Sequence, residues 1–551
     1  MEMLVLRWRV STRETGGFQV SYAVVGLLVL YTGLLVYLGR LGRKRSTSEN
    51  FIHGGRQFSA VQVFFMISAL WCSWIFVVEL ETAFLFGLSA LWFGVAVGIM
   101  ALASVYALAT PMRRLSYVTN SGLIGQRFGS AARSLAGVVI AVTFPIFAMS
   151  NVLAAAAFLH VVLGWPLLVT LVGTAAVMLA YVMLGGIWAL AYTQIANFVV
   201  MTLGLVIGVV VALHSAPLHL MQHRLQPRFF SLSGVGFGVM LTWLFSDLLN
   251  VVSAQAEFQV LTAAKDPGTA RRGLYGAMVS IVAFTLLSVV IGMAARTVVG
   301  GRELGVFALP QLFIRGSSPV VVAVMALAMW ASALTWSAPL MFSGASSLGA
   351  DVLGLLRRGA LGGRLRFCVQ VCLPLQAALI VLYATLRPQD LAWWSVFSLT
   401  LRNGAIFAPT IAVLLWPAAT RLAAVASIAG GALAGLAWNV GSNFSTTKFL
   451  LGLNPMWVSA TAGIGLLTVL TLVARTDPVR IRPERLARPG VVAALSTLAV
   501  SVGLIVLARP SLVATGLLGP VILILAVSVL AVSAQVAGES RSGASPVAVT
   551  A

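Results

Sequence analysis

Long apolar runs recur along almost the whole chain, separated by charged or Gly/Pro breaks. They fall near 21–40, 58–86, 89–111, 133–159, 166–186, 190–214, 231–258, 272–296, 319–350, 366–386, 393–417, 420–441, 456–475, 489–508 and 511–535. About 20 apolar residues rising 1.5 Å each cross a hydrocarbon layer of about 30 Å. The pattern therefore predicts about 14 to 15 membrane spans. Inside hydrocarbon every backbone N–H and C=O needs a partner within the protein, and none of the runs alternates with the period of two that a barrel strand requires. The expected fold class is an all-α polytopic membrane protein.

The polar punctuation divides the chain further. Residues 1–57 read as an N-terminus, a first span and a basic loop; 58–214 and 231–417 as two groups of spans; 418–535 as additional C-terminal spans; and 536–551 as a disordered polar tail. Arg40 to Arg45, Arg113, Arg114, Arg127, Arg133, Lys265, Arg271, Arg272, Arg357, Arg358, Arg364, Arg366 and the basic stretch from Arg475 all fall on one side if the N-terminus is outside. Positive loops stay in the cytoplasm, so the N-terminus is expected outside and the tail inside, in a cell (inner) membrane. Arg7, Arg9 and Arg13 run against that bias. The first sixteen residues are mixed and polar, and the first apolar run lacks a small-residue cleavage site, so a retained helix is expected.

Composition narrows the function. With 60% hydrophobic and 9% charged residues and a mean hydropathy of +1.00, no aqueous surface is covered, since soluble domains carry about 25% charged residues. The net charge of +21 is spread over short loops, as topology demands, rather than gathered into a nucleic-acid patch. Cys72, Cys368 and Cys372 read as small buried hydrophobes. His214, His219 and His223 share a loop but no carboxylate or cysteine joins them as metal ligands. No cofactor is expected. A lipid-modifying enzyme would need paired carboxylates or His/Asp clusters, and neither stands out.

Few ionisable groups lie inside the runs: Glu79, Glu81, Asp247 and Arg402. Each costs roughly 2.5–3.5 kcal/mol at a helix centre, so each is a functional candidate by default. Glu79 and Glu81 are about 200° apart on a helix, and only one can face a given cavity. Glu79, the deeper, is the candidate, with Glu81 at the outer interface. Asp247 and Asn250 share one helix face, with Gln255 and Glu257 further on, and Arg402 is followed by Asn403 and Gly404. Arg402 is expected either to pair with Glu79 or Asp247 or to grip a substrate carboxylate. Trp71, Trp74, Trp243, Trp330 and Trp336 lie on the same runs, and such aromatics suit a gate or an organic solute as well as ordinary packing. Glu79, Asp247, Asn250, Gln255, Arg402 and Trp74 are the candidate substrate-binding residues.

Five segments carry a resemblance. Gly185-Gly186-Ile187-Trp188-Ala189 leads into Tyr192-Thr193-Gln194; Gly54-Gly55-Arg56 precedes the second run; Thr119 is followed by Arg127-Phe128-Gly129; Ala263-Ala264-Lys265-Asp266 follows the seventh; and Ser346-Ser347 precede Asp351 after the ninth. In order and spacing they resemble the sodium/solute symporter family over about residues 50 to 480. The resemblance implies a leucine-transporter-like core, with 58–214 and 231–417 as inverted five-helix repeats whose broken helices meet at the membrane midplane. It implies a secondary active transporter that imports a small polar organic solute with sodium by alternating access. A proton-coupled or uncoupled carrier, or a transport-inactive sensor or scaffold, is the alternative. Partners are then a small solute and membrane lipid, with monomer or loose homo-oligomer open.

The resemblance also implies a cation site. Backbone carbonyls of Ser68 and Trp71 and the hydroxyls of Ser332 and Thr335 are its matching positions. Two departures stand out: Trp336 replaces the usual second hydroxyl, and Gln194 replaces the common Asp thought to help the ion leave. Ala69, Leu70 and Trp71 occupy the stretch where some members carry an Asp, and Cys72, Ser73 or Ser337 are partial substitutes. A hydroxyl on a membrane helix commonly bonds the carbonyl one turn back, which is the plainer reading of each serine or threonine.

Overall fold

The computed structural model describes residues 16–47, 50–107, 119–301, 305–354, 365–388, 391–445, 448–474 and 489–536. Several arginines of the sidedness argument (7, 9, 13, 113, 114, 357, 358, 364 and those of 475–488) and the tail from residue 537 lie outside them. The helices are α1 Gly16–Arg45, α2 Ala60–Trp74, α3 Leu80–Phe86, α4 Leu91–Ala107, α5 Asn120–Leu163, α6 Leu167–Ser215, α7 Leu218–Arg224, α8 Phe237–Asn250, α9 Gln255–Ala263, α10 Pro267–Val299, α11 Gly305–Gly316, α12 Pro319–Ser346, α13 Leu365–Leu386, α14 Leu391–Leu415, α15 Arg421–Gly441, α16 Pro455–Val473, α17 Pro489–Thr515 and α18 Leu518–Val536.

Twelve continuous helical stretches among the described residues are long and apolar enough to cross a membrane, and the bent pair α8–α9 makes a thirteenth. Two of these fold back on themselves: Ala60–Ser104 has 45 residues and α6 has 49, whereas α5, with 44, is broken near its start at Gly129 (φ 86) and leaves one crossing. At 1.5 Å per residue the first two each exceed twice a bilayer core. The reversals are at Gly87 (φ 69) and Gly186 (φ 57). Both angles lie where a Cβ is strained, and a Cβ would also meet Phe229 O at 2.1 Å or Phe51 O at 2.5 Å. Divided there, the described residues make the fifteen crossings that the hydropathy pattern predicts.

Two crossings are interrupted. The second passes from α2 to α3 through a π turn, Ile75–Glu79. The seventh breaks between α8 and α9 with a bend of 42°. α12 lies at the centre, packed against α5 and α6. The most apolar window of α5 is 83% buried, whereas that of α17 is 11% buried. The bundle thus grades from a protein-packed centre to an apolar outer face, as a lipid solvent allows.

The recurring motifs serve as joints. Gly54, Gly55 and Arg56 have φ of 63°, 67° and 56° and turn the chain into α2. Phe58 N–H donates to Ala263 O (2.9 Å) and Lys265 N–H donates to Phe58 O (3.0 Å). Phe58 meets Trp188 edge-on at 4.9 Å, and Ile187 N–H donates to Phe51 O at 3.1 Å. Asp266 caps α10, accepting from Thr269 N–H at 2.8 Å and from its hydroxyl at 2.6 Å. Three separate sequence motifs therefore meet in one corner.

Candidate functional site

The two interrupted crossings touch. Trp71, one turn before the π turn, donates its indole N–H to Glu257 Oε1 on α9 at 2.8 Å. On the other side of the seventh crossing, Asp247 and Asn250 stand on the last turn of α8. Asn250 Oδ1 accepts from Arg402 Nη2 on α14 at 2.8 Å. The Arg402 guanidinium lies over Phe144 (4.5 Å) and Phe147 (5.0 Å) of α5. Ser253, in the break, donates to Asn403 Oδ1 at 2.6 Å, and Asn403 Nδ2 donates to Ser246 O at 2.8 Å. Asp247, Glu257 and Arg402 are thus gathered where helix ends leave backbone groups without helical partners.

An aromatic wall completes this centre. Trp74 stacks on Trp336 at 5.6 Å with 6° between planes, and both meet Phe147 edge-on. Phe93 lies 5.4 Å from Trp74 and 4.4 Å from Trp243. The indoles are also bonded: Trp74 Nε1 to Ser395 Oγ (3.3 Å) and Trp336 Nε1 to Phe147 O (3.0 Å). Trp336, which replaces a hydroxyl of the resembling family, is therefore a wall of the central cluster.

The candidate cation residues lie next to it. Ser332 Oγ donates to Ser73 O at 3.2 Å, and Asn151 Nδ2 reaches both Ser73 O (2.8 Å) and Ser332 Oγ (3.2 Å). Thr335 Oγ1 bonds back to Ala331 O at 2.6 Å, the plain one-turn bond. Gln194 Nε2 donates to Thr335 O at 2.8 Å. An Asp there would offer only acceptors; this amide presents an N–H to a carbonyl that a cation would otherwise draw. The structure differs from expectation at the second span: Trp71 O accepts from Ile75 N–H, because a π turn keeps the chain helical instead of unwinding it. Ser68 Oγ is buried without a partner. Ser73 supplies the carbonyl that α12 meets, and Ser337 Oγ is committed to Ala148 O at 2.7 Å.

Three further candidates sit in different surroundings. Glu79 is buried, but it belongs to the turn packed on α10, where the Thr285 hydroxyl is its neighbour. Arg402 forms no ion pair with Glu79 or Asp247: the described ion pair is Arg133 Nη2 to Asp351 Oδ1 at 2.7 Å. Gln255, a candidate solute residue, is bonded to groups around that ion pair. Its Nε2 reaches Ser343 O and Ser347 Oγ, each at 2.9 Å, and its Oε1 accepts from Asn120 N–H at 3.0 Å. Thr119 and Ser121 hydroxyls donate to Asp351 Oδ2 at 2.7 and 2.6 Å. The latch so formed ties α5, α9 and α12 together at the end of the bundle where α5 begins. Glu81, in the first turn of α3, is buried and accepts from Leu391 N–H at the start of α14 at 2.9 Å.

Asn151, Glu257, Ser253 and Asn403 are central residues that the sequence reading left out as binding groups. Their only advance signal is a polar side chain within an apolar run.

The model of the sodium:solute symporter family matches residues 51–431. The sodium-coupled monocarboxylate transporter 1 of Xenopus laevis is 25% identical over 198 residues, 35% of this chain and 32% of that protein. The sodium/iodide cotransporter of Homo sapiens is 25% identical over 186 residues, 33% and 29% of the two. The chain spans about a third of the length of the curated relatives it matches. A Na+-coupled sialic acid symporter, solved in a substrate-bound outward-open state, superposes with a TM-score of 0.69 at 15% identity, covering 83% of this chain and 98% of that one. A nucleobase-cation-symport-1 family transporter in a closed conformation with bromovinylhydantoin bound gives 0.50 at 14% identity, covering 87% and 93%. At such identities the likeness is one of fold, the leucine-transporter type. The family model covers well over half of the chain, and the chain belongs to the sodium:solute symporter family.

Proposed function

We propose that this protein is a secondary active transporter that imports a small polar organic solute on a sodium gradient. The observation that carries the reading is the meeting of the two interrupted crossings, with Asp247, Glu257 and Arg402 gathered there under an aromatic wall. Charged groups inside a membrane are retained at a cost, and a solute pathway is what returns it. Broken helices at mid-bundle allow both ends to close around one fixed site. Residues 58–214 and 231–417 are the inverted pair that would rock against each other.

Sodium is cargo here, and hard oxygen donors suit it. Ser332 Oγ, Thr335 Oγ1 and Ser73 O are the oxygens that would hold it, with Asn151 orienting two of them. Trp74, Asp247, Asn250 and Arg402 would face the solute. The Asp351 latch would close the cytoplasmic end if the arginine bias sets the sidedness. A second reading, a carrier that does not need sodium, is favoured by one observation: Gln194 already holds the Thr335 carbonyl with an N–H.

The test is reconstitution into liposomes with an inward sodium gradient and a panel of labelled amino acids, carboxylates, sugars and quaternary amines. Accumulation of one solute above its equilibrium level, abolished when the gradient is dissipated, is the expected result. Equilibration without accumulation would favour the sodium-independent carrier, and no flux of any solute would favour a sensor.

A further inference from the structure

Arg402 is 1% exposed, and two of its donors, Nε and Nη1, have no partner; Asp247, also 1% exposed, leaves Oδ1 without one. Asp247 stands one turn before Asn250, the residue that Arg402 bonds at 2.8 Å, yet the two charges form no ion pair. Asn250 takes the third guanidinium nitrogen. Glu257 is different, because Trp71 already holds it. The protein therefore keeps one cationic and one anionic group buried, adjacent and unsatisfied at the same time. Unpaired buried charges are expensive, and a direct ion pair is the arrangement that would relieve both.

An anion at this place satisfies Arg402 but faces the carboxylates of Asp247 and Glu257. A cation satisfies Asp247 but faces the guanidinium. A molecule carrying both charges a few atoms apart satisfies both groups. Trp243 lies one turn before Asp247 on the same helix face and packs on Phe93 at 4.4 Å, which gives the cationic end an aromatic neighbour. Resting on the transport reading above, we infer that the solute is a small zwitterion, an amino acid or betaine, with its carboxylate at Arg402 Nε or Nη1 and its ammonium at Asp247 Oδ1.

The experiment measures thermal unfolding of the purified full chain in detergent, in sodium chloride and in choline chloride. The probes are β-alanine, proline and glycine betaine, against propionate and propylamine as single-charge controls. At least one zwitterion is expected to stabilise at a concentration about tenfold or more below either control. Asp247→Asn is expected to erase that preference, leaving propionate at least equal to the zwitterion. A response to propionate or propylamine equal to or stronger than that to every zwitterion overturns the inference, as does silence to every probe. If Asp247→Asn does not fold, the wild-type ranking alone decides. The probe-free wells separate the two readings. Zwitterion binding without a sodium shift removes the coupling and keeps the substrate class, whereas a sodium shift with a control-only response does the reverse.

Discussion

Thr335 spends its hydroxyl on Ala331 O of its own helix, so Thr335→Ala removes a candidate sodium oxygen while disturbing little else. Sodium affinity is expected to fall about tenfold or more, a change of about 1.4 kcal/mol, as read from a sodium titration of the unfolding temperature. Gln194→Asp replaces the N–H on Thr335 O by a carboxylate, and the same titration is expected to show tighter sodium binding. Asp351→Asn keeps the shape of the latch but removes the charge that holds Arg133, Thr119 and Ser121. Charge-assisted bonds are worth about 1.5–3 kcal/mol, and the loss is expected as a lower unfolding temperature with sodium selectivity retained. Asp247 and Arg402 were legible in the sequence because a charge stands out against an apolar run. Asn151 was not, since an uncharged amide in a span gains meaning only when α2 and α12 are seen to meet it. The surroundings of Gln255 and Glu79 were hidden for a related reason: Gln255 follows a break and Glu79 ends a π turn, and either resets the helical phase from which a facing side is judged.

At the level of elements, the apolar pattern predicted the crossings, and the glycines at 87 and 186 explain why two helical stretches are twice too long. Gly186→Ala combines positive φ with a Cβ 2.5 Å from Phe51 O, and is expected to destabilise by at least about 1–3 kcal/mol. Gly173, in the same α6 with nothing within 4 Å of its Cβ, is the control. Gly173→Ala is expected to be neutral or to stabilise slightly, and thermal unfolding of the two variants checks the contrast. Asp266 shows how a family motif can be structural. Hydrogen bonds from the Thr269 hydroxyl and N–H hold its carboxyl below the usual range. Its capping contribution is therefore complete above the ordinary carboxylate pKa and is lost as pH falls through the lowered value. The π turn had no sequence signature, because Ile75–Val78 is as apolar and helix-compatible as the residues before it and Glu79 does not by itself mark a turn.

For the molecule as a whole, burial sorts the helices by role. α5 and α12 form the interior that carries Phe147, Asn151, Ser332 and Thr335, while α17 packs on α18, and α18 on α16, at the periphery. The central claim is that the oxygens where α2 meets α12 still hold sodium despite Gln194 and Trp336. The direct measurement is the unfolding temperature of the purified protein in sodium, potassium and choline chloride at matched ionic strength. A ion bound only to the folded state at about 100 times its Kd stabilises by roughly 2.7 kcal/mol. The account predicts a saturable shift in sodium alone, which Thr335→Ala and Ser332→Ala each move to about tenfold or more higher sodium. Equal unfolding temperatures in all three salts, with the variants indistinguishable from the wild type, would contradict it.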